Sequence, residues 1–340
     1  MTPPIHRSIR MHMARPRAVP VIAIFAIISA GLLQRPCHAQ AVDPSPAAAA
    51  ENYWGDIDLF LNRQAEVSLQ LVARALDRHK PQLVEPMERR MALFIMDGVL
   101  HHENAPSQPA VQKFYHSRID KTLVELKAPF PESGALIWKL YNHSFIVRTP
   151  SVTLGFDLTR AFSAGAEGFA LPDSVMEQLV RQCDALLISH YHGDHADEWV
   201  AKTFLQQGKP VISPSDIWTD KEFHEDIRHP ERNPDMAHTI PIQGGKTELT
   251  LYVFPGHQGE NISNNVYLVF TPEGISFCHT GDQSNQADFA WIDRFGESHR
   301  VDVLLPNCWT TDMPRMIRGM KPQLVITGHE NELGHTIDHR

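Results

Sequence analysis

The 340-residue chain has little cysteine: only Cys37, Cys183, Cys278 and Cys308, with no C-x-x-C pair among them. That spacing argues against a cysteine zinc site and against a disulfide framework. Basic residues are in deficit as well. Thirty-one Lys and Arg stand against 40 Asp and Glu, giving a net charge of −9 with histidine neutral. General nucleic-acid binding wants a basic surface, so no nucleic-acid partner is expected. A long hydrophobic run is missing too. The most apolar stretch, residues 18–33, is shorter than the roughly 20 residues that span a bilayer. No Arg-Arg pair precedes that stretch, so a twin-arginine export signal is not supported. No internal repeat is clear enough to organise the chain.

What the N-terminus does contain reads as a Sec-type signal. Arg7, Arg10, Arg15 and Arg17 form a basic region, residues 18–33 the apolar one, and Cys37 and Ala39 stand at −3 and −1 of a cleavage site after Ala39. Residues 1–39 are therefore expected to be a signal peptide and the mature protein periplasmic or secreted, without stable membrane insertion. An uncleaved anchor is the alternative. Residues 40–50, rich in Pro and Ala, read as a linker. Cleavage leaves an odd number of cysteines, so at least one thiol is unbridged and is expected to be buried.

Residues 51–130 read as a helical extension. Tyr53, Ile57, Phe60, Val67, Leu71 and Ala75 mark one face of a first helix, which Pro81 and Pro86 interrupt. Residues 91–100 suggest a second. Val111, Phe114, Tyr115, Ile119, Leu123 and Leu126 mark a third. These apolar faces need a partner, over the cleft or in another subunit, so homo-oligomerisation stays open. From about residue 131 to 340 short apolar runs alternate with turns and helical stretches. Hairpin-like strands come first and strand–helix alternation follows, which predicts an α/β class with two sheets and helices outside them.

The chemistry concentrates in residues 186–199, LLISHYHGDHADEW, where His190, His192, Asp194 and His195 fall within six positions. The chance of such a motif in a chain this rich in histidine is on the order of a few in a thousand. In a helix His190 and Asp194 share one face, and His192 and His195 another. In a strand 190, 192 and 194 share a side and 195 opposes them. Neither form brings all of them to one ion. A turn at Gly193 splits them instead, His190 and His192 toward one ion, Asp194 and His195 toward a neighbour. Distant partners are then required. His257, Asp282 and His329 each stand just after a strand-like run, where open α/β sheets gather their sites. His335 competes with His329 as the last ligand. Five imidazoles and two carboxylates suit two Zn²⁺ ions, with Mn²⁺ or Fe as other occupants. His101, His102, His224, His229 and His238 read as surface or core residues, and His279 as pointing away from the metals or supporting the ligands.

His190-Tyr191-His192-Gly193-Asp194-His195, followed by His257, Asp282 and His329, resembles the metallo-β-lactamase superfamily. The resemblance covers roughly the last 200 residues. Residues 140–147, LYNHSFIV, and 154–158, LGFDL, are similar to the opening hairpin of the branch containing L-ascorbate-6-phosphate lactonase. The resemblance implies a four-layer αββα sandwich with a two-metal cleft. It implies His190, His192 and His257 on the first ion, Asp194, His195 and His329 on the second, and Asp282 bridging. His192 stands where the flavodiiron oxidoreductases of the superfamily commonly carry an acidic residue, which favours hydrolysis over redox chemistry. Asp282 stands where some β-lactamases offer cysteine, which disfavours that subclass. Family domains usually continue further past the last histidine than this chain does, so the C-terminus is expected to be short.

The function so implied is an exported dinuclear zinc hydrolase. A water shared by two ions is acidified to hydroxide and attacks a small-molecule lactone, ester or phosphodiester. Asp194 both ligates and orients that nucleophile. His143 either hydrogen-bonds substrate or an outer group, or is a hairpin histidine bonded to backbone. Asp157 is expected to anchor loops by accepting backbone or histidine N–H bonds. A non-heme iron or manganese enzyme with the same ligands, and a non-catalytic protein stabilised by metal, are the alternatives.

Overall fold

Helix α1 (Ile57–Arg78) begins where the Asp56 carboxylate accepts the Leu59 N–H at 2.9 Å, an N-cap that satisfies one orphan donor of the first turn. The computed structural model describes residues 55–102, 104–160, 169–330 and 333; the expected signal peptide, the linker and His335 lie outside the described residues. The α1 core stripe is Ala65, Leu69, Val72 and Leu76, spaced by four, three and four residues. The face expected from the sequence points outward instead. Ile57, Phe60, Val67 and Leu71 are 70, 48, 49 and 49% exposed. The helix carries two apolar stripes. The one that faces α2 (Met87–Leu100) and α3 (Pro109–Leu126) is buried, and periodicity alone does not choose between stripes. In α3 the expected positions Val111, Phe114, Ile119, Leu123 and Leu126 are buried.

Two sheets follow. The first contains β1 (Leu136–Lys139), β2 (Phe145–Arg148), β3 (Thr153–Phe156), β4 (Ala185–Leu187) and β5 (Val211–Ile212) in sequence order. Its pairs are antiparallel up to β3 and parallel from β3 to β5. The second runs β11 (Leu324–Val325), β10 (Val303–Leu305), β9 (Ser276–His279), β8 (Ile262–Phe270), β7 (Thr247–Gln258), β6 (His238–Ile242). It is antiparallel from β6 to β9 and parallel from β9 to β11. Strand β6 was not expected. His238 belongs to it, paired with Leu251, and Pro241 broke its apolar signal.

Alternation along the strands decides the layers, because successive side chains point to opposite faces. In β8 Tyr267 and Val269 face the first sheet, while Val266 and Leu268 face away. In β4 Ala185 and Leu187 face the second sheet and Leu186 faces away. The central core between the sheets thus joins Phe145, Leu154, Phe156 and Leu187 to Leu251, Val253, Phe277 and Leu305. Helices α1 to α3, α4 (Asp173–Gln182) and α5 (Glu198–Gln206) cover the first sheet. Helices α6 (Phe289–Ile292), α7 (Phe295–Ser298) and α8 (Met313–Met320) cover the second through Phe289, Phe295, Met316 and Met320. This is an αββα sandwich. The single helix expected over residues 286–294 is a 3-10 turn followed by the short α6, and α7 comes after it.

Arg148 ties the N-terminal helices to the first sheet. It is 1% exposed, donates to the Leu126 carbonyl at the end of α3 at 2.5 Å, and donates to Thr153 Oγ1 at 2.9 Å. A cation on the last carbonyls of a helix meets the negative end of its dipole. At the opposite edge the two sheets are joined by polar bonds. The Tyr267 hydroxyl donates to the Ile188 carbonyl at 2.8 Å and the Asn265 N–H to the Ser189 carbonyl at 2.8 Å. These bonds hold the C-terminal end of β4, where the histidine motif begins, against β8.

Candidate metal centre

The loops after β4, β9 and β11 meet at that edge. His190 and His195 come from the first, Asp282 from the second and His329 from the third, and all are at most 6% exposed. Their donor atoms converge. His195 Nε2 lies 3.0 Å from His329 Nε2, 3.3 Å from Asp282 Oδ1 and 3.5 Å from Asp194 Oδ2. Asp282 Oδ1 lies 2.7 Å from His329 Nε2, and its other oxygen lies 3.6 Å from His190 Nε2. Four atoms held tetrahedrally about 2.1 Å from one Zn²⁺ would be about 3.4 Å apart, and these separations bracket that figure.

Two groups of donors lie mutually within 4.8 Å around the shared Asp282: His190 with His192, and His195 with His329 and His143. His190 and His192 thus fall in one group and His195 in the other. The His195 N–H and the Ala196 N–H both donate to the His192 carbonyl, at 2.9 and 2.8 Å, so the chain turns back within the motif. Asp194 and His257 do not join these close groups. The Asp194 carboxylate accepts the Asn142 side-chain N–H at 2.9 Å. His257 is the penultimate residue of β7, opposite Ser263, rather than in a turn beyond the strand. Asp288 accepts from its Nδ1 and from its backbone N–H, each at 2.8 Å. That pair consumes Nδ1 and leaves Nε2 for a further partner.

The buried His190 and His195 rings are held by acceptors behind them. Asp157 accepts from the Ser189 N–H, the Ser189 hydroxyl and His195 Nδ1, each at 2.7 Å. His190 Nδ1 donates to Ser189 Oγ at 3.0 Å. Both histidines thus present Nε2 to the centre, the arrangement usual behind metal-binding imidazoles. His279 stays outside: Nε2 donates to the His143 carbonyl at 3.1 Å and Nδ1 accepts from the Gly281 N–H at 3.3 Å. The Asp282 backbone is fixed by Asn264 Oδ1, which accepts its N–H at 2.9 Å, and Gln258 Nε2 donates to Asp282 Oδ2 at 3.0 Å.

The electrostatics ask for positive charge here. Burial disfavours the Asp282 carboxylate, yet His195 and His329 beside it hold its carboxyl well below the ordinary range. Burial likewise opposes charge on His195, but Asp282, Asp194 and Asp157 raise its pKa well above the usual value. His190 goes the other way. Burial, with His195 close by, pushes it down to about 3, so it is a neutral ring with an available lone pair. His190 Nε2 and both ring nitrogens of His143 are buried without a hydrogen-bond partner among the described residues. Orphaned donors of this kind call for an ion or a water. The residues fit a metal.

The backbone bends to make this possible. Asn142, Asp157 and His329 have φ of 49, 47 and 62°, a region that side-chain-bearing residues seldom occupy and that clusters at functional sites. At Gly281, φ 51°, a Cβ would lie 2.2 Å from Asn264 Oδ1 and 2.5 Å from Ser189 Cβ, so only glycine lets the Asp282 loop approach. Asn142, Ser189, Gln258, Asn264 and Asp288 were not foreseen. Their sequence signal is adjacency alone: Asn142 precedes His143, Ser189 precedes His190 and Gln258 follows His257.

No family model and no curated protein matches the chain. Solved structures do. The chain is similar to Igni18, a metallo hydrolase of the hyperthermophilic archaeon Ignicoccus hospitalis, with 17% identity and a TM-score of 0.43 over 58% of this chain and 83% of that one. It is similar to isothiocyanate hydrolase from Delia radicum gut bacteria, with 14% identity and a TM-score of 0.42 over 60% of this chain and 87% of that one. It is also similar to CmlA, a diiron β-hydroxylase from Streptomyces venezuelae, with 16% identity and a TM-score of 0.43 over 62% of this chain and 48% of that one.

Proposed function

We propose that this protein is a metal-dependent hydrolase of the metallo-β-lactamase type with a two-ion centre, acting on a small-molecule lactone, ester or phosphodiester. The observation that carries the reading is the convergence of His190, His195, Asp282 and His329 from three separate loops at ion-ligand spacing. His190, His192 and His257 would hold one ion, Asp194, His195 and His329 the other, with Asp282 between them. A donor set of imidazole and carboxylate without thiolate suits zinc. The metal would acidify a water and polarise the oxygen of the scissile group.

The chain's own groups do the rest. Asp157 keeps the His195 ring aimed into the centre, and Asp288 does the same for His257. Asn142 aims Asp194, which is well placed to take the proton of the attacking water and pass it to the leaving group. Burial opposes the charge of Asp194, but His195 holds its carboxyl well below the usual range, so the acceptor is ionised at neutral pH. We further read the protein as exported, from the basic and apolar pattern of residues 7–39; no helix among the described residues is long and apolar enough to cross a membrane.

Metal analysis of the mature protein, joined to a panel of chromogenic lactone, phosphodiester and cephalosporin substrates, tests the reading. Two equivalents of zinc and turnover of one panel member are expected, with turnover abolished in Asp194→Ala while the circular dichroism is unchanged. A coloured iron centre would replace hydrolysis with the redox alternative. Full turnover by Asp194→Ala would remove the mechanism.

A further inference from the structure

We infer that His143 is itself a metal ligand, completing the second ion's site with His195, Asp282 and His329, while Asp194 is left for proton transfer. The inference rests on the two-ion reading above and changes its ligand set. Three independent features of the structure support it. First, His143 is 0% exposed and neither ring nitrogen has a hydrogen-bond partner among the described residues. A neutral imidazole has one acceptor nitrogen and one N–H to satisfy; an ion meets the buried acceptor, and the N–H is left to a water or to substrate. Second, His143 offers a nitrogen within 4.8 Å of donor atoms of His195, Asp282 and His329, a grouping that Asp194 does not join; it also groups with Asp157 and His279, whose side-chain donors and acceptors are already engaged in hydrogen bonds. Its ring is tilted toward that of His329, with centroids 5.4 Å apart.

Third, the fold gives up a side chain to admit this ring. A Cβ at Gly328 would lie 1.9 Å from His143 Cδ2 and 2.9 Å from Nε2, inside any contact distance. The ring also stacks on that of His279, with centroids 4.2 Å apart. The turn that presents it is fixed at both ends: the Ser144 N–H donates to the Tyr141 carbonyl and the Leu140 N–H to the Ser144 carbonyl, each at 2.9 Å. The His329 N–H donates to the Asn142 carbonyl at 2.9 Å, which ties the hairpin to the loop that carries His329. One turn therefore serves two purposes. Asn142 donates from its side chain to Asp194, and the next residue supplies the imidazole.

A histidine that merely packs under the site, or steadies a ligand, would change metal affinity by the 10–100-fold typical of outer groups. A ligand should do more and should leave a spectroscopic trace. Wild type, His143→Ala and His143→Gln are to be loaded with Co²⁺ and followed by equilibrium dialysis and by visible absorption. Both variants should lose one equivalent of Co²⁺, with its Kd raised by more than about 100-fold, and keep the other. Added imidazole should restore the lost equivalent and its ligand-field bands in His143→Ala. Asp194→Asn should keep both equivalents. Two ions held within threefold of wild-type affinity in both His143 variants, or loss of an ion from Asp194→Asn instead, would overturn the inference. Should the variants fail to fold, ¹¹³Cd-loaded wild type labelled with ¹⁵N-histidine decides it: three imidazoles coupled to each of the two cadmium ions are expected, and a second cadmium coupled to only two overturns the inference. A wild type that binds no ion sinks the parent reading instead.

Discussion

Replacing Asp157 by Asn separates structure from chemistry at one atom. The carboxylate is 0% exposed and accepts three hydrogen bonds at 2.7 Å, from the Ser189 N–H, the Ser189 hydroxyl and His195 Nδ1. Asn is the right replacement because φ there is 47°, a conformation Asn tolerates and in which Ala would add roughly 1–2 kcal/mol of strain. The amide keeps one acceptor oxygen but turns N–H groups toward donors. At least one charge-assisted bond is therefore lost, worth about 1.5–3 kcal/mol. Urea unfolding of the metal-free protein should show a loss of about that size with an unchanged slope. With His195 free to rotate, chelator competition should show metal affinity down by about 10–100-fold, or about 1.4–2.7 kcal/mol. The first result does not depend on the metal reading and the second does. A midpoint and a Kd both indistinguishable from wild type would show that Asp157 does not orient His195, and the argument for the site's architecture would fall with it.

The two stripes of α1 should differ sharply: Leu69→Ala, at a residue 2% exposed, should cost about 2–5 kcal/mol by urea melt, and Val67→Ala, 49% exposed, no more than about 0.5. Metal-free stability should peak near pH 6.5. His190 is neutral in the fold down to about pH 3 whereas the unfolded chain takes up protons below about 6.5, so stability falls as pH drops through that window. On the other side His195, with a raised folded pKa, contributes stability that is complete below about pH 6.5 and is lost as pH rises through its folded value. A flat profile from pH 4 to 8 would contradict both shifts. In a chain starting at residue 40, thiol reagents should reach Cys308 first. Cys183 and Cys278 should react only on unfolding, since both are fully buried and burial pushes the Cys183 thiol up to about 12.

Much of the layer order was legible because strand alternation is local. The runs at 135–140, 144–148 and 152–156 became β1, β2 and β3 with only their ends trimmed, and Asp173–Gln182 and Met313–Met320 are helices over the spans expected. Where a segment offered two solutions the reading failed. Helix α1 has two apolar stripes, and β6 hides behind Pro241 and His238. That the motif's members do not share one face of a regular element was legible from covalent geometry alone. The roles of its neighbours were not. Asn142, Gln258 and Asp288 are ordinary polar residues until the loops meet, and their partners lie 52, 24 and 31 positions away.

The sequence by itself supplied a set of candidate donor atoms with strand-linked spacing. Imidazole and carboxylate at 190, 192, 194, 195, 257, 282 and 329 are a chemical inventory that no packing alters. Only the tertiary structure decided which of those atoms are mutual neighbours. It joined His143 to the group and turned Asp194 toward Asn142, and it backed His195 with Asp157 and His257 with Asp288. The physical reason is that the donor atoms are brought together by left-handed turns at Asn142, Asp157 and His329 and by the close approaches at Gly281 and Gly328. Those conformations are disfavoured locally and persist only because two packed sheets hold the loops together.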